Sequence, residues 1–156
     1  MINVNILGFE DLTLTDVIFD YNGTLAVDGI LIKGVAEQLI TLSEKINIHV
    51  VTGDSLGTAK NELKDIPCTV FITSQLEQGL AKKEYLKKLN PRTTISIGNG
   101  RNDQQLMKET VVGVIILGPE GAAKEALVAA DIVVTNIFDA INLLLYPGHL
   151  LSTLRS

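Results

Sequence analysis

Apolar side chains recur along this chain in two rhythms. Residues 2–6 (INVNI) alternate apolar and polar positions, the period of a half-exposed strand. Gly8 to Asp11 reads as a turn, and residues 12–20 (LTLTDVIFD) read as a second strand that closes an N-terminal hairpin. This strand finishes in the short, β-branched run expected of a buried central strand. Asn22-Gly23 interrupts it, and Asp28-Gly29 between two short apolar stretches predicts a small flap hairpin. Val35, Leu39 and Leu42 share one face of a helix over 35–45. Residues 46–52 (INIHVVT) give the next buried strand, and a helix over 56–63 stops ahead of Pro67. Residues 68–73 (CTVFIT) form a further strand, and a helix over 77–89 ends at Asn90-Pro91. Three more strands follow, at 93–98, 111–117 and 131–135, with helices expected over 104–109, 121–130 and 138–145. Pro147-Gly148 then sets off a last apolar turn, HLLSTL.

Strands alternating with helices in this way predict an α/β fold: a three-layer, doubly wound (Rossmann-like), mostly parallel sheet. The N-terminal hairpin and the flap hairpin are additions to it, no cap domain is expected, and residues 1–156 read as a single domain. Hydrophobic residues make up 46% of the chain while aromatics are 4% and Trp is absent, so the core is aliphatic, which suits a sheet covered on both faces. The formal net charge is −5, with basic residues clustered only in the pairs Lys82–Lys83 and Lys87–Lys88. Nucleic-acid binding needs clustered cations, so a small molecule is the expected partner. A single cysteine, Cys68, cannot form an internal disulfide and reads as a small buried hydrophobe in a reducing compartment. With no leader pattern and no apolar run near 18 residues, no membrane partner is expected and the expected location is cytoplasmic.

Ligands of open parallel sheets bind at the carboxyl ends of the strands, where Asp20, Thr52, Asn99 and Asp103 are expected. Asp20-Tyr21-Asn22-Gly23-Thr24 sets a carboxylate, a backbone carbonyl two residues on, a glycine and a hydroxyl in one tight loop. The glycine admits close approach of the backbone to a phosphate, and exposed N–H groups cradle its oxygens. A carboxylate with a carbonyl suits Mg²⁺, a hard cation that takes oxygen ligands and keeps waters.

These residues resemble the motifs of the haloacid dehalogenase superfamily. FDYNGTLA at 19–26 is similar to its first motif, Asp-x-Asp-Gly-Thr, and Thr52 in VVTG to its phosphate-binding Ser or Thr. Lys82, followed by Leu86 and Leu89, is similar to its lysine at a helix start, with Lys83 as the register alternative. Residues 98–103 (GNGRND) are similar to Gly-Asp-Gly-x-Asn-Asp. The capless layout and the Thr-Gly-Asp at 52–54 look like the soluble P-type-ATPase-like branch.

The resemblance implies a Mg²⁺-dependent phosphohydrolase in which Asp20 attacks phosphorus and forms an aspartyl phosphate. It assigns catalysis to Asp20, Asn22 and Lys82, and phosphate binding to Asn22, Gly23, Thr52, Gly53, Lys82 and Asn102. It assigns the metal to Asp20, Asn22, Asn99 and Asp103. It also implies a small phosphorylated substrate and a homo-oligomer, since neighbouring subunits cover the open site in some capless relatives.

Two departures bear on activity. The family's proton-donating aspartate is Asn22, and an amide cannot exchange a proton in that role. A metal-binding aspartate is Asn99, which removes one negative charge. They support an alternative reading, a catalytically weak or inactive metal- and phosphate-binding regulatory module. A receiver-type phosphoacceptor is disfavoured because residues 1–19 lack the second acidic pair in register. Both asparagines precede glycine, the context in which asparagine deamidates most readily, and deamidation would restore both carboxylates. Asp54 and Ser55 read as helix caps or as site residues, and His49 as a core histidine. Leu150, Leu151 and Leu154 either pack on the domain or join a partner chain.

Overall fold

The computed structural model describes residues 1–156. β1 (Ile2–Val4) and β2 (Leu12–Leu14) pair antiparallel, each burying alternate side chains. The expected second strand is broken at Thr15, so that β3 (Asp16–Phe19) is a separate strand buried at every position. The physical reason is visible in the pattern: Leu12 and Leu14 alternate with polar residues, whereas Val17, Ile18 and Phe19 must be covered on both faces.

The flap is β4 (Ala26–Val27) and β5 (Ile30–Leu31), joined by Asp28 and Gly29 at φ of 52° and 76°. Both turn residues are left-handed, the geometry that an Asp-Gly hairpin turn favours. Next come α1 (Val35–Ser43), β6 (Asn47–Thr52), α2 (Ala59–Glu62), β7 (Thr69–Ile72) and α3 (Gln78–Leu86). They are followed by β8 (Thr94–Gly98), α4 (Gln104–Glu109), β9 (Val112–Ile116), α5 (Lys124–Ala129), β10 (Ile132–Val134) and α6 (Ile137–Leu145). The residues expected to form a last turn are instead a helix, α7 (Gly148–Leu154). Leu150 of α7 is fully buried, Leu151 and Leu154 pack on the main core, and the Ser156 N–H donates to the Leu7 carbonyl at 3.2 Å. The leucine-rich tail therefore closes over its own chain.

Six strands form one parallel sheet in the order β10-β9-β8-β3-β6-β7. The chain builds outward from β3 through β6 to β7, then crosses back to β8 and builds the other way. The strand order therefore reverses between β3 and β8, where doubly wound sheets bind ligands. Val17 and Phe19 join the large core that includes Val35 and Leu39 of α1 and Ile141 and Leu144 of α6. Ile18 faces the other way, into a smaller cluster with Val51, Tyr85 and Leu86 of α3 and Leu106 of α4. The two-residue period of β3 thus directs one side of the strand at α3.

Below Ile18 on that side, His49 is buried between Asp16 and Tyr85, with Nε2 3.0 Å from Asp16 Oδ1 and Nδ1 2.9 Å from Tyr85 Oη. Burial alone would raise the Asp16 carboxyl, but hydrogen bonds from Thr15, His49 and Asn47 outweigh it and hold the group below its ordinary value of 3.8. A carboxyl depressed in the fold adds stability above its unfolded value and loses it as pH falls through its folded value. Asp16→Asn should therefore flatten the decline of the melting temperature below about pH 4 relative to the parent. Parallel decline of the two proteins on acidification would contradict this role.

Candidate active site

Asp20 follows β3, Thr52 ends β6, and the Asn99 loop follows β8, so the three lie side by side at the carboxyl edge of the sheet. The Asp20 N–H donates to Ile97 of β8 at 2.9 Å, which carries the central strand's pairing up to the site. Lys82 comes from the middle of α3, one turn in from its start rather than at it, and is completely buried. Its Nζ donates to Asp20 Oδ1 at 2.8 Å, to Asp103 Oδ1 at 2.6 Å and to Asn102 Oδ1 at 3.2 Å. Lys83 instead turns outward to Glu109 at 2.6 Å. Of the two lysines, it is Lys82 that reaches Asp20.

One ammonium between two buried carboxylates leaves a net negative charge. Burial, followed by the nearby charge of Asp103, pushes Asp20 up to about 6 against the opposing pull of Lys82. Burial would depress Lys82, but Asp103 and Asp20 together overcome it and raise its pKa. The cluster holds its protons and charges by mutual compensation, so loss of any member exposes the others to an uncompensated interior.

Above this cluster lies a cleft of about 180 Å³ whose ten lining residues include no hydrophobic side chain. Asp20, Asn22, Thr52, Gly53, Asn99 and Asn102 all line it. Gly23, Lys82 and Asp103 do not. The Gly23 N–H, expected to cradle phosphate, already donates to the Ala26 carbonyl at 2.8 Å. Gly23 acts by its small size and its φ of 78°, since a Cβ there would collide with the Asn99 amide. Lys82 is sealed beneath the floor and meets the cleft through Asp20 and Asn102. Asp103, 2% exposed, accepts from Lys82 on one oxygen and from the Asn99 and Gly100 N–H groups, at 3.1 and 2.9 Å, on the other. Expected among the metal ligands, Asp103 here supports the ammonium and the 99–100 backbone.

Several contributors carried no strong sequence signal. Gln78 accepts from Asn102 Nδ2 at 2.7 Å and lines the cleft; its one clue is its position four residues before Lys82, on the same helical face. Thr24 Oγ1 donates to Asn99 Oδ1 at 3.3 Å, and Asn99 Nδ2 donates to the Gly121 carbonyl at 2.9 Å. Asp54 is both a cap and a lining residue: Oδ1 accepts from the Thr58 and Ala59 N–H groups, and Ser55 lines the cleft beside it.

The donor set offered to a cation is oxygen only. Asn22 lines the cleft with Asp20 and Asn99, and its Oδ1 is buried without a hydrogen-bond partner. No group of three or more His, Cys, Asp or Glu side chains is placed to hold a metal ion. The set fits Mg²⁺ in its usual manner, which needs one or two carboxylates together with substrate phosphate and retained waters.

Deamidation at either Asn-Gly requires the following glycine nitrogen to reach the asparagine side chain. Both nitrogens are engaged, Gly23 with Ala26 and Gly100 with Asp103. Peptide mass mapping of aged, folded protein should therefore show unchanged masses at Asn22 and Asn99. A gain of one mass unit at either would mean that these loops open.

No protein-family model matches the sequence. An uncharacterised protein of Methanocaldococcus jannaschii is 45% identical over 73 residues, which are 46% of this chain and 78% of the relative. A soluble P-type ATPase-like phosphatase of the same organism is 28% identical over 125 residues; the match covers 77% of this chain and 45% of that protein, so the chain spans less than half of its length. Among solved structures, the cobalt-bound deoxy-D-mannose-octulosonate 8-phosphate phosphatase of Haemophilus influenzae superposes with a TM-score of 0.72 at 15% identity, covering 92% of this chain and 94% of the other. The 3-deoxy-D-manno-octulosonate 8-phosphate phosphatase of Moraxella catarrhalis, in complex with magnesium, phosphate and sugar acid, gives 0.69 at 17% identity over 89% and 90%.

Proposed function

The chain belongs to one family with the uncharacterised archaeal protein and has the capless haloacid dehalogenase-type fold; on that premise we propose that it is a Mg²⁺-dependent phosphohydrolase acting on a small phosphorylated molecule. Asp20 attacks phosphorus, forming an aspartyl phosphate that water then hydrolyses. The observation that carries this reading is the buried Asp20–Lys82–Asp103 cluster, which presents the Asp20 carboxylate to a cleft lined by no hydrophobic side chain.

Two anions must meet for this reaction, and positioning with charge compensation is most of what a phosphoryl-transfer site provides. Bound Mg²⁺ would neutralise phosphate oxygens and Asp20, held by Asp20 with oxygens of Asn22 and Asn99. Lys82 holds Asp20 in place through a 2.8 Å contact and offsets its charge from below. Thr52 and Gly53, on the β6 side of the cleft, and Asn102, on the opposite loop, are positioned to orient the phosphate oxygens. Asn102 is fixed for this by Gln78 and Lys82.

With so little protein charge facing the cation, Mg²⁺ and phosphate should each strengthen the binding of the other. Calorimetric titration should give a higher Mg²⁺ affinity in the presence of inorganic phosphate than in its absence. A phosphatase screen with Mg²⁺ tests the activity itself, with Asp20→Asn as control. Phosphate release that disappears in Asp20→Asn is expected, and equal release by parent and variant would remove Asp20 from the chemistry.

The alternative, a regulatory module that binds metal and phosphate without turnover, draws on Asn22 and Asn99. Saturable phosphate binding with no Asp20-dependent release of product would favour it.

A further inference from the structure

Resting on the phosphohydrolase reading, we infer that the substrate class of this site is a small, polar acyl phosphate. Three independent features of the cleft exclude the other phosphorylated classes one at a time.

The first concerns the leaving group. Asn22 lines the cleft with Asp20 at the position that the resemblance gives to a proton-donating aspartate, yet its amide has no acidic proton to give. Its Oδ1 is buried and has no partner, so no neighbouring acid relays a proton through it. With no proton from position 22, the site disfavours alkyl phosphates and favours leaving groups that depart unprotonated, such as carboxylate, phosphate or phenolate.

The second is the lining. None of the ten residues around the cleft is hydrophobic, so a phenolate or other aromatic leaving group finds no hydrophobic side chain to pack against. A volume of about 180 Å³ also falls below the ~300–1,000 Å³ of pockets that enclose drug-sized ligands.

The third is charge. No Lys or Arg lines the cleft, and the ammonium beneath it is already shared between Asp20 and Asp103. Asp54 adds another carboxylate to the rim. A departing phosphate or diphosphate would bring further negative charge with no cation of the chain to receive it. A neutral, compact acyl group that becomes a single carboxylate meets all three conditions.

The reaction balances without an acid. An Asp20 oxygen attacks phosphorus, the bond from phosphorus to the acyl oxygen breaks, and the acyl group leaves as a carboxylate that keeps the electron pair. Water then attacks the phosphorus of the aspartyl phosphate. The bond to Asp20 breaks, its carboxylate is restored, and both protons of the water remain on the released phosphate.

The test compares kcat/KM for acetyl phosphate, benzoyl phosphate, pyrophosphate and glycerol phosphate with Mg²⁺, each corrected by the rate with Asp20→Asn. Benzoyl phosphate keeps the leaving carboxylate but adds an apolar ring, pyrophosphate adds charge, and glycerol phosphate keeps polarity but needs a proton. Acetyl phosphate should exceed the first two by at least about tenfold and glycerol phosphate by at least about a hundredfold. Asp20-dependent turnover in which any of the other three equals or surpasses acetyl phosphate overturns the acyl-phosphate assignment and leaves the phosphohydrolase reading standing. No Asp20-dependent turnover of any compound overturns both.

Discussion

Asn22→Asp should raise the turnover of alkyl phosphates such as glycerol phosphate by about 10²–10⁴-fold, the usual worth of general acid–base help. Asn22 lines the cleft next to Asp20, and its Oδ1 is buried without a partner. A carboxyl introduced there would sit in a poorly hydrated place near an existing carboxylate, and both influences raise its pKa. It would hold a proton at neutral pH, give it to the departing alkoxide, and then take one from the attacking water. The gain should be much smaller for acyl phosphates, whose leaving group requires no proton. Steady-state rates for the two substrate types, scaled to the folded fraction of each protein, measure the difference. A variant no faster than its parent on glycerol phosphate would mean that position 22 does not face the leaving oxygen.

Lys82→Met should cost about 3–5 kcal/mol of stability, because removing one partner of a buried ion cluster leaves the others uncompensated. For a chain of this size that lowers the melting temperature by roughly 6–20 °C. The methionine fills a similar volume, so the loss reflects charge: Asp20 and Asp103 would face each other without the ammonium that now lies 2.8 and 2.6 Å from them. Phosphate turnover should fall with it, since Asp20 would be driven towards its protonated form. Adding Asp20→Asn to Lys82→Met should recover part of the lost stability without recovering activity, which separates electrostatic from packing effects. Lys83→Met, on the half-exposed pair with Glu109, should leave the melting temperature close to the parent's. Equal melting temperatures for Lys82→Met and the parent would contradict the cluster as described.

The parallel sheet was readable because its strands are bounded: Asn22-Gly23, Thr52-Gly53 and Gly98-Asn99-Gly100 each close a short stretch rich in Val and Ile. The α7 helix was missed because Pro147-Gly148 reads as a stop. Pro147 instead precedes the first helical residue, where its fixed φ and missing N–H are tolerated, and Leu150, Leu151 and Leu154 share a helical face. The break at Thr15 lay hidden inside residues 12–20, where an alternating strand passes directly into a fully buried one.

At the site, Asp20, Thr52, Asn99 and Asp103 were identifiable as residues at strand ends or in the loops that follow them. What each oxygen or N–H is committed to was not. Gly23 gives its N–H to Ala26, and Asp103 turns away from the cleft towards Lys82 and two backbone N–H groups. The contacts made by Lys82 to Asp103 and by Asn99 to the Gly121 carbonyl join segments more than twenty residues apart. Local sequence does not encode them.

The central claim is that the Asp20 carboxylate itself takes the phosphoryl group. Rapid acid quenching of the protein during turnover of acetyl phosphate with Mg²⁺, followed by peptide mass mapping, reads this directly. A hydroxylamine-labile phosphoryl adduct on the peptide containing Asp20, absent from Asp20→Asn, is the predicted result. Sustained phosphate release by the parent with Asp20 never labelled, and with Asp20→Asn equally active, would contradict it.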